Sequence, residues 1–155
     1  MIFRSKPPIR RTHRGVEVHL SGEEREVLRL LVAEHRQQLV QDSDDPELRR
    51  LFPTAYHDDP QRDAEYQILG RAELLDSRLG AVATMEATVG TELLDDEQFG
   101  SWMSTVNQIR LVLGTRLGIS EDDDEELDPE DPSVRERVLY HYLTMLMSML
   151  VEAAN

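Results

Sequence analysis

The chain has no cysteine among its 155 residues. A disulfide framework, a thiolate zinc centre and a cysteine nucleophile are therefore excluded. No stretch approaches the ~18 consecutive apolar residues of a membrane-spanning helix. The opening Met1-Ile-Phe-Arg-Ser-Lys-Pro-Pro8 holds no apolar core long enough for a secretory signal, so the expectation is a cytoplasmic protein. Unbalanced positive charge is confined to the first 14 residues; beyond them 12 basic residues face all 31 acids. Arg4, Lys6, Arg10, Arg11 and Arg14 meet no acid within that arm, and since the net charge is −14, the rest of the chain carries about −19. Such a body repels nucleic acid at long range, which leaves any DNA contact to the basic arm.

Catalytic and metal-binding patterns are missing as well. No serine lies in a Gly-x-Ser-x-Gly elbow. Gly114-Thr-Arg-Leu-Gly118 lacks the lysine of a phosphate loop and closes a helical pattern instead of opening one. The three adjacent ligand types His57-Asp58-Asp59 cannot converge on one ion without a strained loop, and Asp59 before Pro60 reads better as a helix N-cap. Residues 121–131 hold nine carboxylates in eleven positions. A calcium loop counted from Asp122 would need glycine where Leu127 stands and glutamate where Ser133 stands. That segment reads as a solvated acidic loop, with a docking patch for a basic partner as the alternative. The expectation is a protein that is not an enzyme and that uses no cofactor or metal.

What is present is helical periodicity. At this length one domain with a real core is expected, mainly α: a bundle of four main helices carrying a small N-terminal β-hairpin. Ile9–Thr12 and the alternating Val16, Val18 and Leu20, joined at Arg14-Gly15, read as the hairpin. Ser21 with Glu24 three residues on reads as a capping box opening a helix to about Gln41, whose face is Val27, Leu28, Leu31, His35 and Leu39. Its opening, Leu20 to Leu31, superficially resembles the first helix of LuxR-type helix-turn-helix domains. The acidic Asp42-Ser-Asp-Asp-Pro46 that follows stands where a turn and recognition helix should be, so the likeness is read as chance. Pro46–Leu51 suits a short helical turn, with Phe52 and Tyr56 as inward anchors after it.

A third helix is expected from Pro60 to about Val89, with Ile68, Ala72, Leu75, Leu79 and Val82 as its stripe, widened by Leu69 and Leu74. Asp95 caps the next, Asp96 to Leu117, stopped by Gly118. Its stripe is Phe99, Trp102, Val106, Ile109, Leu113 and Leu117, alternating three and four apart. The last helix, from Pro132 to about Glu152, is apolar almost all round between Val138 and Val151. A helix without a polar face must be covered on all sides. It is therefore either the centre of the bundle or, on one side, the interface of a homodimer.

The polar residues set among the apolar ones of Trp102–Ile119 are the candidates for function. Asn107 and Arg110, three apart, are neighbours on one helix face, and Arg116 follows one and a half turns on. Structural pairing with Glu73, Asp76 or Glu86 of the preceding helix is one reading, since guanidinium suits bidentate carboxylate contacts. Recognition of a partner protein is the other. The arm residues Arg4, Lys6, Arg10, Arg11 and Arg14 complete the candidate set.

Trp102-x4-Asn107-x2-Arg110-Leu-Val-Leu-Gly-Thr-Arg-Leu-Gly-Ile119, followed by acids, resembles the signature of an actinobacterial family of uncharacterised domains. Arg50-Leu-Phe-Pro-Thr-Ala-Tyr56, Asp59-Pro60 and the Gly15 hairpin with Ser21–Leu31 also fit. Members are often encoded near the ClpS protease adaptor, and some are AosR-type oxidative-stress regulators that act with a sigma factor on cysteine biosynthesis. The resemblance implies a helical, non-enzymatic, protein-binding regulator of stress-responsive transcription whose partner is a sigma factor or RNA polymerase. A direct DNA-binding regulator using the basic arm and an adaptor in Clp-dependent proteolysis are the alternatives. The redox sensing described for such regulators uses a cysteine pair, which this chain lacks, so thiol sensing does not carry over.

Overall fold

The computed structural model describes residues 7–119 and 127–155. Two short strands, β1 (Ile9–Thr12) and β2 (Gly15–Val18), form an antiparallel hairpin with Ile9 opposite Val18 and Thr12 opposite Gly15. A third strand, β3 (Leu93–Leu94), pairs antiparallel with β2, Leu94 opposite Val16. This strand adds to the expected hairpin; two residues are too few to show any alternation in the sequence. Gly15 has φ +137°, and a Cβ there would lie 2.5 Å from the Leu94 carbonyl oxygen, so only glycine lets β3 approach.

Four helices follow: α1 (Gly22–Gln41), α2 (Pro60–Thr88), α3 (Asp96–Leu117) and α4 (Val134–Ala153), with a short 3-10 helix at Pro46–Leu51. Their ends follow local chemistry. Asp59 accepts a bond from the Arg62 amide (3.1 Å) at the start of α2, as its place before Pro60 suggests. Asp95 and Gln98 form a full capping box for α3. Gly118, left-handed at φ 70°, ends α3, and the Ile119 amide then bonds to the Gly114 carbonyl (2.8 Å). The box expected at α1 is only half made. Ser21 accepts from the Glu24 amide (3.1 Å), but the Glu24 carboxylate instead accepts from the Tyr142 hydroxyl (3.3 Å), tying α1 to α4.

The buried axis is α3. It packs against α1, α2, α4, the 3-10 helix and the strands. Phe99, Trp102, Val106, Ile109 and Leu113 of the predicted stripe are buried, together with Thr105, Gln108, Val112, Gly114 and Thr115. Trp102 is wholly enclosed, and its indole N–H donates to the Thr88 hydroxyl (2.8 Å), which in turn donates to the Thr84 carbonyl (2.8 Å). A buried indole needs such an acceptor, because an unsatisfied N–H costs about 1–3 kcal/mol.

Two helices depart from expectation. The last one is not central: only Leu143, Leu146, Leu150 and Ala153 of α4 are buried, while Val138, Met145 and Val151 face solvent. Three and a half residues per turn of unbroken apolar text could not choose between centre and flank; α3 took the centre because both α2 and α4 pack on it. In α2 the buried residues are Val82, Met85 and Thr88, all in its C-terminal half. Ile68 and Leu69, assigned to its core stripe, are 78% and 79% exposed.

Arg25 is the main polar tie between layers. Its guanidinium donates to the carbonyls of Val89 (2.6 Å), Thr91 (3.2 Å), Val18 (2.8 Å) and Leu20 (3.3 Å). One α1 side chain thus satisfies the end of α2 and the end of β2, where no helix or ladder partner remains. Replacing it by an isosteric apolar residue strands these carbonyls. Arg25→Met should lower unfolding free energy by about 2–4 kcal/mol, measured by urea denaturation; a loss under ~0.5 kcal/mol would contradict this role.

Candidate functional site: the two flanks of the α3–α4 pair

The C-terminal half of α3 carries the three polar candidates, but α4, lying along it, separates them. On one flank, α1, α3 and α4 enclose a cleft of about 220 Å³ lined by Leu31, His35, Ile109, Leu113, Arg116 and Glu136 among others. Arg116 closes its rim. Its Nε donates to Glu47 of the 3-10 helix (3.1 Å), and its other arm lies 3.9 Å from Glu136 of α4. These partners are not the acids of the preceding helix expected from sequence. Glu86 pairs with Arg36 instead (3.2 Å), and Glu73 and Asp76 point to solvent. The reason is level: Arg116 is in the last turn of α3, beside the 3-10 helix and the first turns of α4, whereas Glu86 sits near the other end of the α2–α3 pair.

Beneath that rim lies a buried polar pair. The His35 Nε2–H donates to the Gln108 side-chain oxygen (2.8 Å), and the Gln108 amide donates to the Ser104 hydroxyl (3.1 Å) and the Arg78 carbonyl (3.5 Å). Burial holds the His35 pKa below its ordinary value; the bond to Gln108 opposes this, and the nearby Arg78 charge adds to it. The imidazole is therefore neutral at pH 7, a core histidine with its donor satisfied. Helical spacing placed His35 on the inner face of α1, but nothing in the text marked Gln108 as its partner.

On the other flank, Asn107 and Arg110 are brought together as their spacing implied, with an Arg110 guanidinium nitrogen donating to the Asn107 side-chain oxygen (3.2 Å). A second nitrogen reaches the Tyr140 hydroxyl at 3.5 Å. Tyr140 can lie this close because of Gly114: a Cβ there would stand 3.1 Å from its ring. Arg110 opens onto a groove along α4 formed by Thr144, Met147, Ser148, Val151 and Glu152. The groups that converge here are an amide, a guanidinium, a phenol and apolar carbons, suited to binding a protein surface.

Of the basic arm, Arg10 and Arg11 lie beside Met149, Glu152 and Ala153 at the C-terminal end of α4. Arg4 and Lys6 lie outside the described residues. Arg10 pairs with Glu17 on the facing strand (2.9 Å). Arg11 donates to Asp96 (2.9 Å) and to the Ala153 carbonyl (3.0 Å), with its guanidinium 5.5 Å from the Phe99 ring centre. It binds the hairpin to the start of α3 and the end of α4. Arg14, at the hairpin turn, is exposed. Among the described residues no group of three or more His, Asp and Glu side chains is placed to hold a metal ion, and no helix is long and apolar enough to cross a membrane.

This helical bundle with its N-terminal sheet matches, over residues 6–154, the family described as Domain of unknown function (DUF2017), and the chain belongs to that family. It is 31% identical over 124 residues to the oxidative stress regulator AosR of Mycobacterium bovis, and equally to that of Mycobacterium tuberculosis. Each match takes in 69% of this chain and 57% of the relative, so the chain spans little more than half the length of these regulators. No solved structure matches it.

The His35 environment fixes a pH dependence. In the unfolded chain the imidazole binds a proton near pH 6.5, whereas in the fold it does so only at lower pH. Its contribution is present above about pH 6.5 and is lost as pH falls from there towards the lower folded pKa, with a slope of up to ~1.4 kcal/mol per pH unit. Urea denaturation between pH 7.5 and 5.0 should show this slope, and His35→Gln should flatten it. An equal slope in both proteins would contradict the buried, neutral imidazole.

Proposed function

We propose that this chain is a non-enzymatic, protein-binding regulator of stress-responsive transcription in the cytoplasm, acting without a cofactor on a sigma factor or RNA polymerase. The observation that carries the reading is its similarity to the oxidative stress regulators of the two mycobacteria. The surface that serves it is the Asn107–Arg110 flank with the outward residues of α4, where a guanidinium stands beside a groove bordered by Met147 and Val151. Arg and Met are the side chains that protein interfaces favour. Arg116 acts within the fold, through Glu47 and Glu136.

The absence of cysteine shapes how regulation works here. With no thiol to oxidise, thiol oxidation of this chain is not the signal. Direct DNA binding by the basic arm is the weaker reading, because Arg10 and Arg11 already pair with Glu17 and Asp96 of this chain. Tagged protein isolated from its own cells should carry a sigma factor or RNA polymerase at stoichiometric yield. Arg110→Glu with Val151→Glu should reduce that yield at least tenfold while the circular dichroism stays helical. Recovery of promoter DNA without polymerase, or of a Clp ATPase instead, would overturn the transcription-partner reading.

A further inference from the structure

The most exposed large apolar residues of the described chain are not on α4 but on the N-terminal half of α2. Ile68 and Leu69 are 78% and 79% exposed, and Tyr66 beside them, packed edge-on against Tyr56, is partly exposed. One turn to either side stand Ala64 and Ala72, both exposed and small enough for another helix to approach closely. The opposite face of this half, through Arg71 stacked 4.2 Å over Phe52 and bonded to the Ser43 carbonyl, holds the helix to the rest of the fold. A contiguous solvent-facing apolar stripe of this kind is uncommon without a partner.

The charges on the same stripe say which partner. Arg62, Glu65, Leu69, Ala72 and Asp76 recur at helical spacing, and all are exposed. The stripe thus carries Arg62, stacked 4.5 Å over Tyr56, and Glu65 towards its N-terminal end, apolar carbon at its middle and Asp76 at its C-terminal end. Turned antiparallel on a copy of itself and crossed between Ile68 and Leu69, it sets Ile68 against Leu69 of the copy. The same register sets Glu65 against an alanine, Ala72, and Arg62 within reach of Asp76. The two-fold axis repeats each contact, so one stripe supplies both halves of the interface. We propose that the chain forms an antiparallel homodimer through α2, with Ile68 and Leu69 at its centre and two Arg62–Asp76 pairs at its ends. The self-contact therefore lies on α2, and the α4 flank is left to the regulatory partner. A contact of about four helical turns per chain falls at the low end of specific interfaces, which predicts a dimer that dissociates on dilution.

Sedimentation velocity of the full chain from about 1 μM to about 1 mM, at low and high salt, reads this directly. The native protein should shift from monomer to dimer across that range. Leu69→Glu should move the midpoint to at least tenfold higher concentration without changing the helical circular dichroism, since the residue is exposed. Arg62→Asp should weaken the dimer by opposing Asp76 of the copy, and adding Asp76→Arg should restore it, which only self-pairing in this register explains. Met145→Glu on α4 should leave the midpoint unchanged. A native monomer throughout the range, a dimer indifferent to Leu69→Glu, a dimer lost on Met145→Glu, or no restoration by the double exchange would each overturn the proposal.

Discussion

The structure depends on getting one large aromatic group, with one polar atom, into the centre of a small bundle. Trp102 is the sole tryptophan, fully enclosed, and its N–H has a partner only because Thr88 lies in the last turn of α2. That bond ties the last turn of α2 to the N-terminal half of α3, the helix on which α1, α2 and α4 all pack. Leu28, Leu39, Met85, Leu143 and Leu146 belong to the same core, each with less than 2% of its surface exposed. Burial of this kind is the main source of stability in a domain of this size.

Around that centre the polar side chains act as ties at places where regular structure leaves carbonyls bare. Arg25 serves the ends of α2 and β2, Arg11 the end of α4, and Arg50 the Ile119 carbonyl just past α3. Arginine suits this task because its fixed fork can satisfy several acceptors at once. It also means that much of the positive charge in an acidic protein is committed internally. The arm that looked like a nucleic-acid contact in the sequence is, at Arg10 and Arg11, part of the scaffold.

The helices were legible because their signals are local. Asp95 with Gln98, Asp59 before Pro60, and Gly118 at the end of an apolar stripe mark boundaries by chemistry within four residues. The burial of α3 was legible from its stripe for the same reason. What could not be read was which apolar face finds cover. The spacing of Ile68, Ala72 and Leu75 is the same as that of a buried stripe, yet the first two face solvent. The pairing of Arg116 with Glu47 joins residues 69 positions apart, and that of His35 with Gln108 spans 73. Such contacts are set by the path of the chain, which no local pattern encodes. Of the candidate residues, spacing brought Asn107 and Arg110 together correctly. It could not show that α4 would place Arg116 on the other side.

If α3 is the axis and the outer faces of α2 and α4 are surfaces for partners, opening free energy should be graded through the molecule. Native-state hydrogen exchange measures this residue by residue. Amides of α3 from Val106 to Leu113 should exchange only with global unfolding, while those from Asp63 to Ala72 of α2 exchange through smaller openings in dilute protein. Exchange from α3 as fast as from the N-terminal half of α2 would contradict the account.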